Sequence, residues 1–247
     1  MQVVVDGLAT NYVKSGDGKT ILLLHGWGDT SATFRQLSEE LNKNFQTLAL
    51  DLPGFGATQR PEDSWDLDDY ASFISDWLKK IEADSPYAII GHSNGGAIAV
   101  HGLASGKLQA KKLVLLASSG IRIPRTALKI TAKVGKAVTA PLPALLKTKL
   151  RKRFYAGIDS EIFLFPEMEQ TFRKLVSHDI LQDAKKIKAP TLIIYGENDQ
   201  ATPASYGEKF QSAIKNSNLK KIEHASHFVH LDQPTKVNQM ISEFLTK

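Results

Sequence analysis

A chain of 247 residues is long enough to bury the core of one large domain, and its 42% hydrophobic and 23% charged residues are ordinary for a globular protein. Its lack of cysteine excludes disulfides, thiol nucleophiles and thiolate metal sites. Because no apolar run approaches the roughly 18 residues that span a bilayer, and the first residues lack the pattern of a signal peptide, we expect no transmembrane segment and a cytoplasmic protein.

The net charge of +5 has a local origin. Residues 122–153, the basic segment, contain ten Lys or Arg and no Asp or Glu, so the rest of the chain carries a net charge of −5. Arg151, Lys152 and Arg153 form a cluster within it. The segment fits a solvated surface, a docking site for an acidic partner or anionic substrate, or contact with an anionic membrane surface. Nucleic acid is not an expected partner, because no aromatic residue interleaves with these charges.

Apolar runs and helical spacings alternate along most of the chain. The predicted strands cover residues 3–5, 11–14, 20–24, 45–50, 87–90, 113–117, 192–195 and 219–223. The predicted helices cover residues 31–42, 67–82, 97–103, 203–214 and 234–245. Asp66 and Thr202 are the expected caps of two of these helices, and residues 224–232 are expected to form a loop. This alternation implies an α/β fold with a mostly parallel, doubly wound sheet covered on both faces.

The regular alternation breaks between residues 121 and 186, which contain several prolines and no strand–helix repeat. We expect these residues to form an insertion above the carboxyl edge of the sheet, where ligands bind in this kind of fold. The insertion would divide the α/β core into a first part, residues 1–120, and a second part, residues 187–247.

Residues 91–95 read Gly-His-Ser-Asn-Gly, a G-x-S-x-G pattern between a predicted strand and a predicted helix. A serine on so sharp a turn takes up strained backbone angles, and its neighbours crowd each other, so Gly91 and Gly95 must lack a Cβ. Gly96 lets the helix lie close to the sheet. The turn would present the hydroxyl of Ser93 at a helix N-terminus, whose free N–H groups can stabilise an anion. An ordinary glycine-rich strand–helix turn would show the same pattern, so the rest of the chain must decide.

A serine hydroxyl is a weak nucleophile that needs a base, and the base needs an acid to fix its tautomer. On a doubly wound sheet these groups belong on loops at the carboxyl ends of the strands. Among the acids after Ser93, Glu197 and Asp199 directly follow a predicted buried strand. Asp199 is favoured because it lies further round the turn, and a local Asx-turn is its alternative interpretation.

Histidines that could serve as the base follow the last predicted strand at positions 224, 227 and 230. His227 best fits a position in the middle of the loop, since His224 adjoins the strand and His230 lies nearer the final helix. For those two, a surface or packing role is the simpler interpretation. His92 and His101 are also interpreted as structural.

Residues 25–28, His-Gly-Trp-Gly, end the strand expected beside the serine strand. An attacked carbonyl needs two N–H donors aimed at the developing oxyanion. The backbone amides of Asn94 and Trp27 are the candidates, and the Trp27 indole would help to wall the site. The alternative is a tight turn with a core tryptophan.

With these residues identified, the chain resembles the α/β-hydrolase superfamily over essentially its whole length. The motifs that carry the resemblance are His-Gly-Trp-Gly (25–28), Asp-Leu-Pro-Gly-Phe-Gly (51–56), Gly-His-Ser-Asn-Gly-Gly (91–96), Gly-Glu-Asn-Asp-x-x-Thr-Pro (196–203) and His-Phe-x-x-Leu-Asp-Gln-Pro (227–234). The resemblance implies Ser93 as nucleophile, Asp199 as acid, His227 as base, and the amides of Trp27 and Asn94 as oxyanion hole. It also implies that the insertion is a helical cap.

The first two motifs look like those of carboxylesterases that demethylate pimeloyl-[acyl-carrier protein] methyl ester. Such enzymes have a cap with basic residues that meets the acidic carrier protein, a role that the basic segment would suit. The serine turn departs from them, since they often carry Trp-Ser-Leu-Gly-Gly where this chain has His-Ser-Asn-Gly-Gly.

The sequence therefore predicts a serine hydrolase that cleaves small-molecule carboxylic esters through an acyl-enzyme, with neither a metal nor an organic cofactor. C–C bond hydrolysis, thioester cleavage and acyl transfer would use the same three residues and stay open. A ligand-binding protein with low turnover is the alternative from another class.

Overall fold

The computed structural model describes residues 1–122 and 165–247. The cluster of Arg151, Lys152 and Arg153 lies outside the described residues, as does most of the predicted insertion. The proposed role of the basic segment and the boundaries of the insertion therefore stay predictions.

The described residues form one eight-stranded sheet with the strand order β1-β2-β4-β3-β5-β6-β7-β8. The strands are β1 (Gln2–Val5), β2 (Leu8–Ser15), β3 (Lys19–Leu24), β4 (Phe45–Leu50), β5 (Ala88–His92), β6 (Lys112–Leu116), β7 (Thr191–Gly196) and β8 (Ser217–Ile222). The pairs β1–β2 and β2–β4 are antiparallel, whereas every pair from β4 to β8 is parallel. The predicted fold class, a mostly parallel α/β sheet, is confirmed.

Helices cover both faces of this sheet. In the described residues they are α1 (Arg35–Leu41), α2 (Leu67–Lys80), α3 (Asn94–Ser105), α4 (Glu169–Ser177), α5 (Leu181–Ala184), α6 (Ala204–Ala213), α7 (Val229–Asp232) and α8 (Pro234–Thr246). Residues of α2 and α3 pack in one hydrophobic core, and residues of α1 and α8 pack in a second. Two cores on opposite faces account for the uninterrupted apolar strands, because neither face of such a strand meets water.

Strand β3 shows this division of the core. Leu22 and Leu24 belong to the core with α2 and α3, while Ile21 and Leu23 belong to the core with α1 and α8. All four side chains are fully buried. The alternation follows from the pleat of a strand, which sends successive side chains to opposite faces.

The structure differs from the predicted elements at several boundaries. The helix predicted from residue 31 begins as a 3₁₀ turn over Ser31–Phe34 before α1. The loop predicted at 224–232 contains α7. The predicted cap at Thr202 is wrong, because α6 begins at Ala204 and its N-terminal flanking residue is Pro203. The Thr202 side chain makes other contacts, which belong to the site described below.

Among the described helices, none combines the length and the apolar character that crossing a bilayer would require.

Candidate active site

The site is organised around a turn of one residue. Strand β5 ends at His92 and α3 begins at Asn94, so Ser93 alone connects them. Ser93 has φ 49° and ψ −116°. For a residue that carries a Cβ, this backbone conformation is strained and unfavourable in free energy. Such strain persists only where the surrounding structure imposes it, and here the strand and the helix on either side do so.

Glycines make this close approach feasible. A Cβ on Gly91 would lie 2.6 Å from the backbone of Gly95, and a Cβ on Gly95 would lie 2.1 Å from the carbonyl oxygen of Leu24. A Cβ on Gly96 would lie 2.5 Å from Ser118 Oγ. The predicted need for glycine at these positions is therefore confirmed.

The predicted acid and base contact each other. Asp199 follows β7 and His227 follows β8, and the Nδ1–H of His227 donates to Asp199 Oδ2 over 2.9 Å. The Asp199 side chain is fully buried, whereas 16% of the His227 side chain is exposed. Glu197, the acid not favoured, is exposed, as is His224. A histidine that donates from Nδ1 keeps the lone pair of Nε2 available to accept a proton.

The Asp199 carboxylate is held in its ionised form. Burial alone raises its pKa, but the hydrogen bonds from His227 and Thr202 outweigh burial and lower the pKa below its ordinary value. The amides of Ala201 and Thr202 donate to Oδ1, each over 2.9 Å. A buried carboxylate with these donors can stabilise a positive charge on the neighbouring imidazole.

Thr202 is a site residue that the sequence analysis missed. Its hydroxyl lies 2.8 Å from Asp199 Oδ2, 3.1 Å from His227 Nδ1 and 2.9 Å from the carbonyl oxygen of Ala117. Since the hydroxyl has one proton, it donates to the carboxylate or to the carbonyl and can accept from His227. A Thr-Pro pair before a helix is typical of a cap. The sequence pattern therefore predicts a capping role and does not indicate the contacts of the Thr202 hydroxyl with Asp199 and His227.

His92 connects the base to the serine turn. Its Nε2–H donates to the carbonyl oxygen of His227 over 3.0 Å, and the two rings lie 4.8 Å apart. Because His92 directly precedes Ser93, this hydrogen bond ties the loop that carries His227 to the turn that carries Ser93. Burial lowers the pKa of His92 well below its ordinary value, so the ring is neutral. The structural role predicted for His92 is therefore to hold the His227 loop against the serine turn.

His25 fixes the loop that approaches Ser93 from β3. Its Nδ1–H donates to the carbonyl oxygen of Gly26 over 2.7 Å, and its Nε2 accepts from the amide of Leu52 over 2.9 Å. The C=O and N–H of a trans peptide point in opposite directions, so this bond directs the Trp27 amide away from His25. A Cβ on Gly26 would lie 3.1 Å from the Cβ of Ser93, which places this peptide beside the serine.

The Asn94 amide belongs to the peptide that directly follows Ser93. Asn94 is the first residue of α3, and the first N–H groups of a helix have no partner within it. The Gly26–Trp27 peptide lies beside Ser93, and the Ser93–Asn94 peptide follows it along the chain. The role of these two amides as oxyanion donors stays a prediction.

Aromatic side chains pack around the Trp27 indole. Its ring lies 4.8 Å from Phe55, 5.0 Å from Phe172 and 6.5 Å from Phe165, each edge to face. Phe165 and Phe172 come from the described end of the predicted insertion. This end of the insertion therefore forms part of an apolar wall beside the serine turn.

His230 packs behind the site. It is stacked on Phe34, and its Nε2 lies 3.1 Å from Thr33 Oγ1. Burial lowers the pKa of His230 to about 4. The ring is therefore neutral at physiological pH, in agreement with the packing role predicted for it.

The chain is similar to known proteins over most of its length. The profile described as "Alpha/beta hydrolase family" matches residues 21–240. A 2-hydroxy-6-oxo-6-(2'-aminophenyl)hexa-2,4-dienoic acid hydrolase of Metapseudomonas resinovorans is 25% identical over 98% of this chain and 89% of its own length. A monoacylglycerol lipase of Xenopus laevis is 24% identical over 94% of this chain and 77% of its own length. The solved structure of a thermophilic esterase from Thermogutta terrifontis superposes with a TM-score of 0.78 at 20% identity, covering 100% of this chain and 98% of that one.

Removing the Thr202 hydroxyl should destabilise the fold and raise the pKa of Asp199. Thr202→Val removes the one hydroxyl proton that is available to the buried Ala117 carbonyl and to the Asp199 carboxylate, so we expect a loss of about 1–3 kcal/mol. Urea unfolding near neutral pH measures the loss. Thr202→Ser keeps the hydroxyl and is the control, and equal stability of the two variants would show that the hydroxyl contributes nothing.

Acid should destabilise the protein through its buried histidines. A histidine in an unfolded chain has a pKa of about 6.5, whereas that of folded His230 is about 4. Between these values the unfolded chain binds a proton that the folded protein does not, so the free energy of unfolding falls as the pH falls. From about pH 7 to about pH 5, His230 alone should account for a loss of about 2 kcal/mol.

Urea unfolding at both pH values, in the wild type and in His230→Gln, tests this expectation. Glutamine offers Thr33 a polar partner but takes up no proton, so the pH-dependent loss should shrink by about 2 kcal/mol. The same pH dependence in the wild type and in His230→Gln would contradict the account.

Proposed function

Because the chain belongs to the α/β-hydrolase family, we propose that it is a serine hydrolase that cleaves carboxylic esters through an acyl-enzyme intermediate. The observation that carries the proposal is the hydrogen bond from His227 Nδ1 to the buried Asp199, on loops that meet the strained turn of Ser93. A serine, a histidine and a carboxylate in this relation are the residues of nucleophilic acyl transfer.

The first half-reaction forms the acyl-enzyme. Ser93 Oγ attacks the ester carbonyl carbon while Nε2 of His227 takes the hydroxyl proton. Asp199 stabilises the resulting imidazolium through the Nδ1–H bond. The carbonyl oxygen becomes an oxyanion, which the amides of Asn94 and Trp27 stabilise by hydrogen bonds that strengthen as the charge develops.

The first half-reaction ends when the tetrahedral intermediate collapses: His227 gives its proton to the leaving alcohol, which departs and leaves an ester on Ser93 Oγ. The second half-reaction releases the acid. A water molecule then attacks this ester, with His227 again as base, and a second collapse regenerates Ser93 and releases the carboxylic acid. One water is consumed for each ester, and these steps use only side chains and backbone amides of this chain.

Esters are the preferred substrate class because two of the relatives named above, a lipase and an esterase, are ester hydrolases by name. Hydrolysis of a C–C bond beside a ketone is the second candidate, favoured by the similarity to the dienoic acid hydrolase. Thioester cleavage and acyl transfer would use the same residues. The narrower resemblance to pimeloyl-[acyl-carrier protein] methyl ester carboxylesterases stays a prediction, as does an acidic carrier protein as partner.

Hydrolysis of p-nitrophenyl esters of increasing acyl length tests the proposal. Ser93→Ala should lower kcat/KM by about 10³-fold or more, because the nucleophile is removed while binding is kept. Ser105→Ala, at the exposed far end of the same helix, is the matched control and should retain wild-type activity. His227→Asn should lose activity similarly, whereas His224→Asn should not.

The same protein samples should be tested on a 2-hydroxy-6-oxo-dienoate. If the protein hydrolyses this compound and not the esters, and if Ser93→Ala abolishes that activity, C–C bond hydrolysis is favoured. Wild-type ester activity in Ser93→Ala would overturn the assignment of the nucleophile.

A further inference from the structure

A second cluster of chemically active side chains lies about two turns along α3 from Ser93. It consists of His101 from α3, His178 from the turn between α4 and α5, and Asp183 from α5. One ligand atom from each residue lies within 4.8 Å of the other two. We propose that His101, His178 and Asp183 form a binding site for a divalent transition-metal ion, with Zn²⁺ as the best match. From the sequence alone no metal is expected, and His101 is interpreted as structural.

The distances are close to those that a metal ion needs. Asp183 Oδ2 lies 2.8 Å from His101 Nδ1 and 3.7 Å from His178 Nε2. Zinc binds nitrogen and oxygen at about 2.0–2.2 Å, so ligand atoms around a tetrahedral ion are roughly 3.3 Å apart. These two distances lie on either side of that value. All three ligand atoms lie within 4.8 Å of one another, so the widest separation has to close by up to about 1.5 Å for the three atoms to reach one tetrahedral ion.

The contacts of His101 call for a cation at this position. Its Nε2 faces Asp68 Oδ1 over 3.2 Å, while its Nδ1 faces Asp183 Oδ2 over 2.8 Å. A neutral imidazole has one N–H, so it can donate to one of these carboxylates while its remaining lone pair faces the other. The arrangement is favourable when a second proton or a metal ion lies between the unprotonated nitrogen and its carboxylate.

The carboxylates are oriented as in known metal sites. Metal-bound histidines usually donate their other ring N–H to a carboxylate, which fixes the tautomer. Asp68 occupies this place behind His101 and is itself held by Lys107. Asp183 Oδ1 accepts from Lys186 over 3.0 Å, which leaves Oδ2 to face the two histidines.

His178 distinguishes a metal ion from a second proton. A protonated His101 between two carboxylates would need no further group, yet the His178 ring lies 5.3 Å from the His101 ring and turns Nε2 toward Asp183. The His178 side chain is 44% exposed, whereas those of His101 and Asp183 are each 14% exposed. An ion could therefore enter from solvent and keep water as its fourth ligand. Two imidazoles and one carboxylate favour Zn²⁺ and its neighbours over Mg²⁺ or Ca²⁺.

A metal ion here would connect the returning end of the insertion to the core. His178 directly follows α4, which carries Phe172 against Trp27. His101 belongs to the helix that begins beside Ser93. A bond from each to one ion would stabilise the apolar wall of the site without touching the reacting atoms, so the metal's role would be structural.

Zinc titration of tag-free, chelator-treated protein tests the proposal, with competition by a chromophoric chelator as readout. We expect one Zn²⁺ per chain and a higher Tm in its presence. His178→Ala removes an exposed ligand, and Asp68→Asn weakens the group behind His101. Each should weaken binding by about 10-fold or more. His224→Asn removes an exposed histidine elsewhere and should bind as the wild type does.

Cobalt(II) provides a readout that does not depend on the variants. Bound to the wild type, it should show the visible bands of four-coordinate cobalt with nitrogen ligands, and Zn²⁺ should displace it. Affinity unchanged in His178→Ala, an equal loss in His224→Asn, or no cobalt spectrum from the folded wild type would each overturn the site.

Discussion

Backbone atoms of α3 approach the ends of β3 and β5 so closely that there is no room for a Cβ at positions 91 and 95, where the chain has Gly91 and Gly95. This contact forces the whole strand–helix connection into Ser93 and gives that residue its left-handed backbone. The same approach places the helix N-terminus at the carboxyl edge of the sheet. Because β7 and β8 run parallel to β5 and end at this edge, the loops that carry Asp199 and His227 arrive beside the serine. The site therefore depends on one steric constraint and on the direction of the strands.

Buried polar groups then hold the parts of the site at fixed positions. Asp199 is ionised in the interior because His227 and Thr202 donate to it, and His227 is tied to the serine turn through its own carbonyl oxygen and His92. On the other side, His25 uses both ring nitrogens to hold the loop of Trp27. The buried histidines His92 and His230 make their contacts in the neutral state. It is maintained by burial, which is why acid is expected to act on the fold as well as on the chemistry.

The sequence allowed prediction of the sheet, the serine turn and the Asp199–His227 pair, because each rests on a local pattern or on the rule that strand ends converge. Thr202 was misread because a Thr-Pro pair before a helix has the same local signature whether or not the hydroxyl faces a carboxylate. The contact of His92 with the His227 carbonyl joins residues 135 positions apart, and no periodicity reports such a bond. His101, His178 and Asp183 also come together only through the tertiary fold, because His101 is more than 70 positions away from the other two in the sequence. Residues 121–186 carry no repeating pattern from which their arrangement could be derived.

Covalent labelling of Ser93 tests the central claim most directly, because it requires no knowledge of the substrate. A fluorophosphonate loses fluoride when an activated serine attacks its phosphorus, and mass spectrometry of the digested protein identifies the modified residue. The account predicts one adduct, on Ser93, formed in the wild type and in His224→Asn but at least about 100-fold more slowly in His227→Asn, which lacks the general base. Labelling at a different residue, or no labelling of the folded wild type, would contradict the assignment of Ser93 as an activated nucleophile.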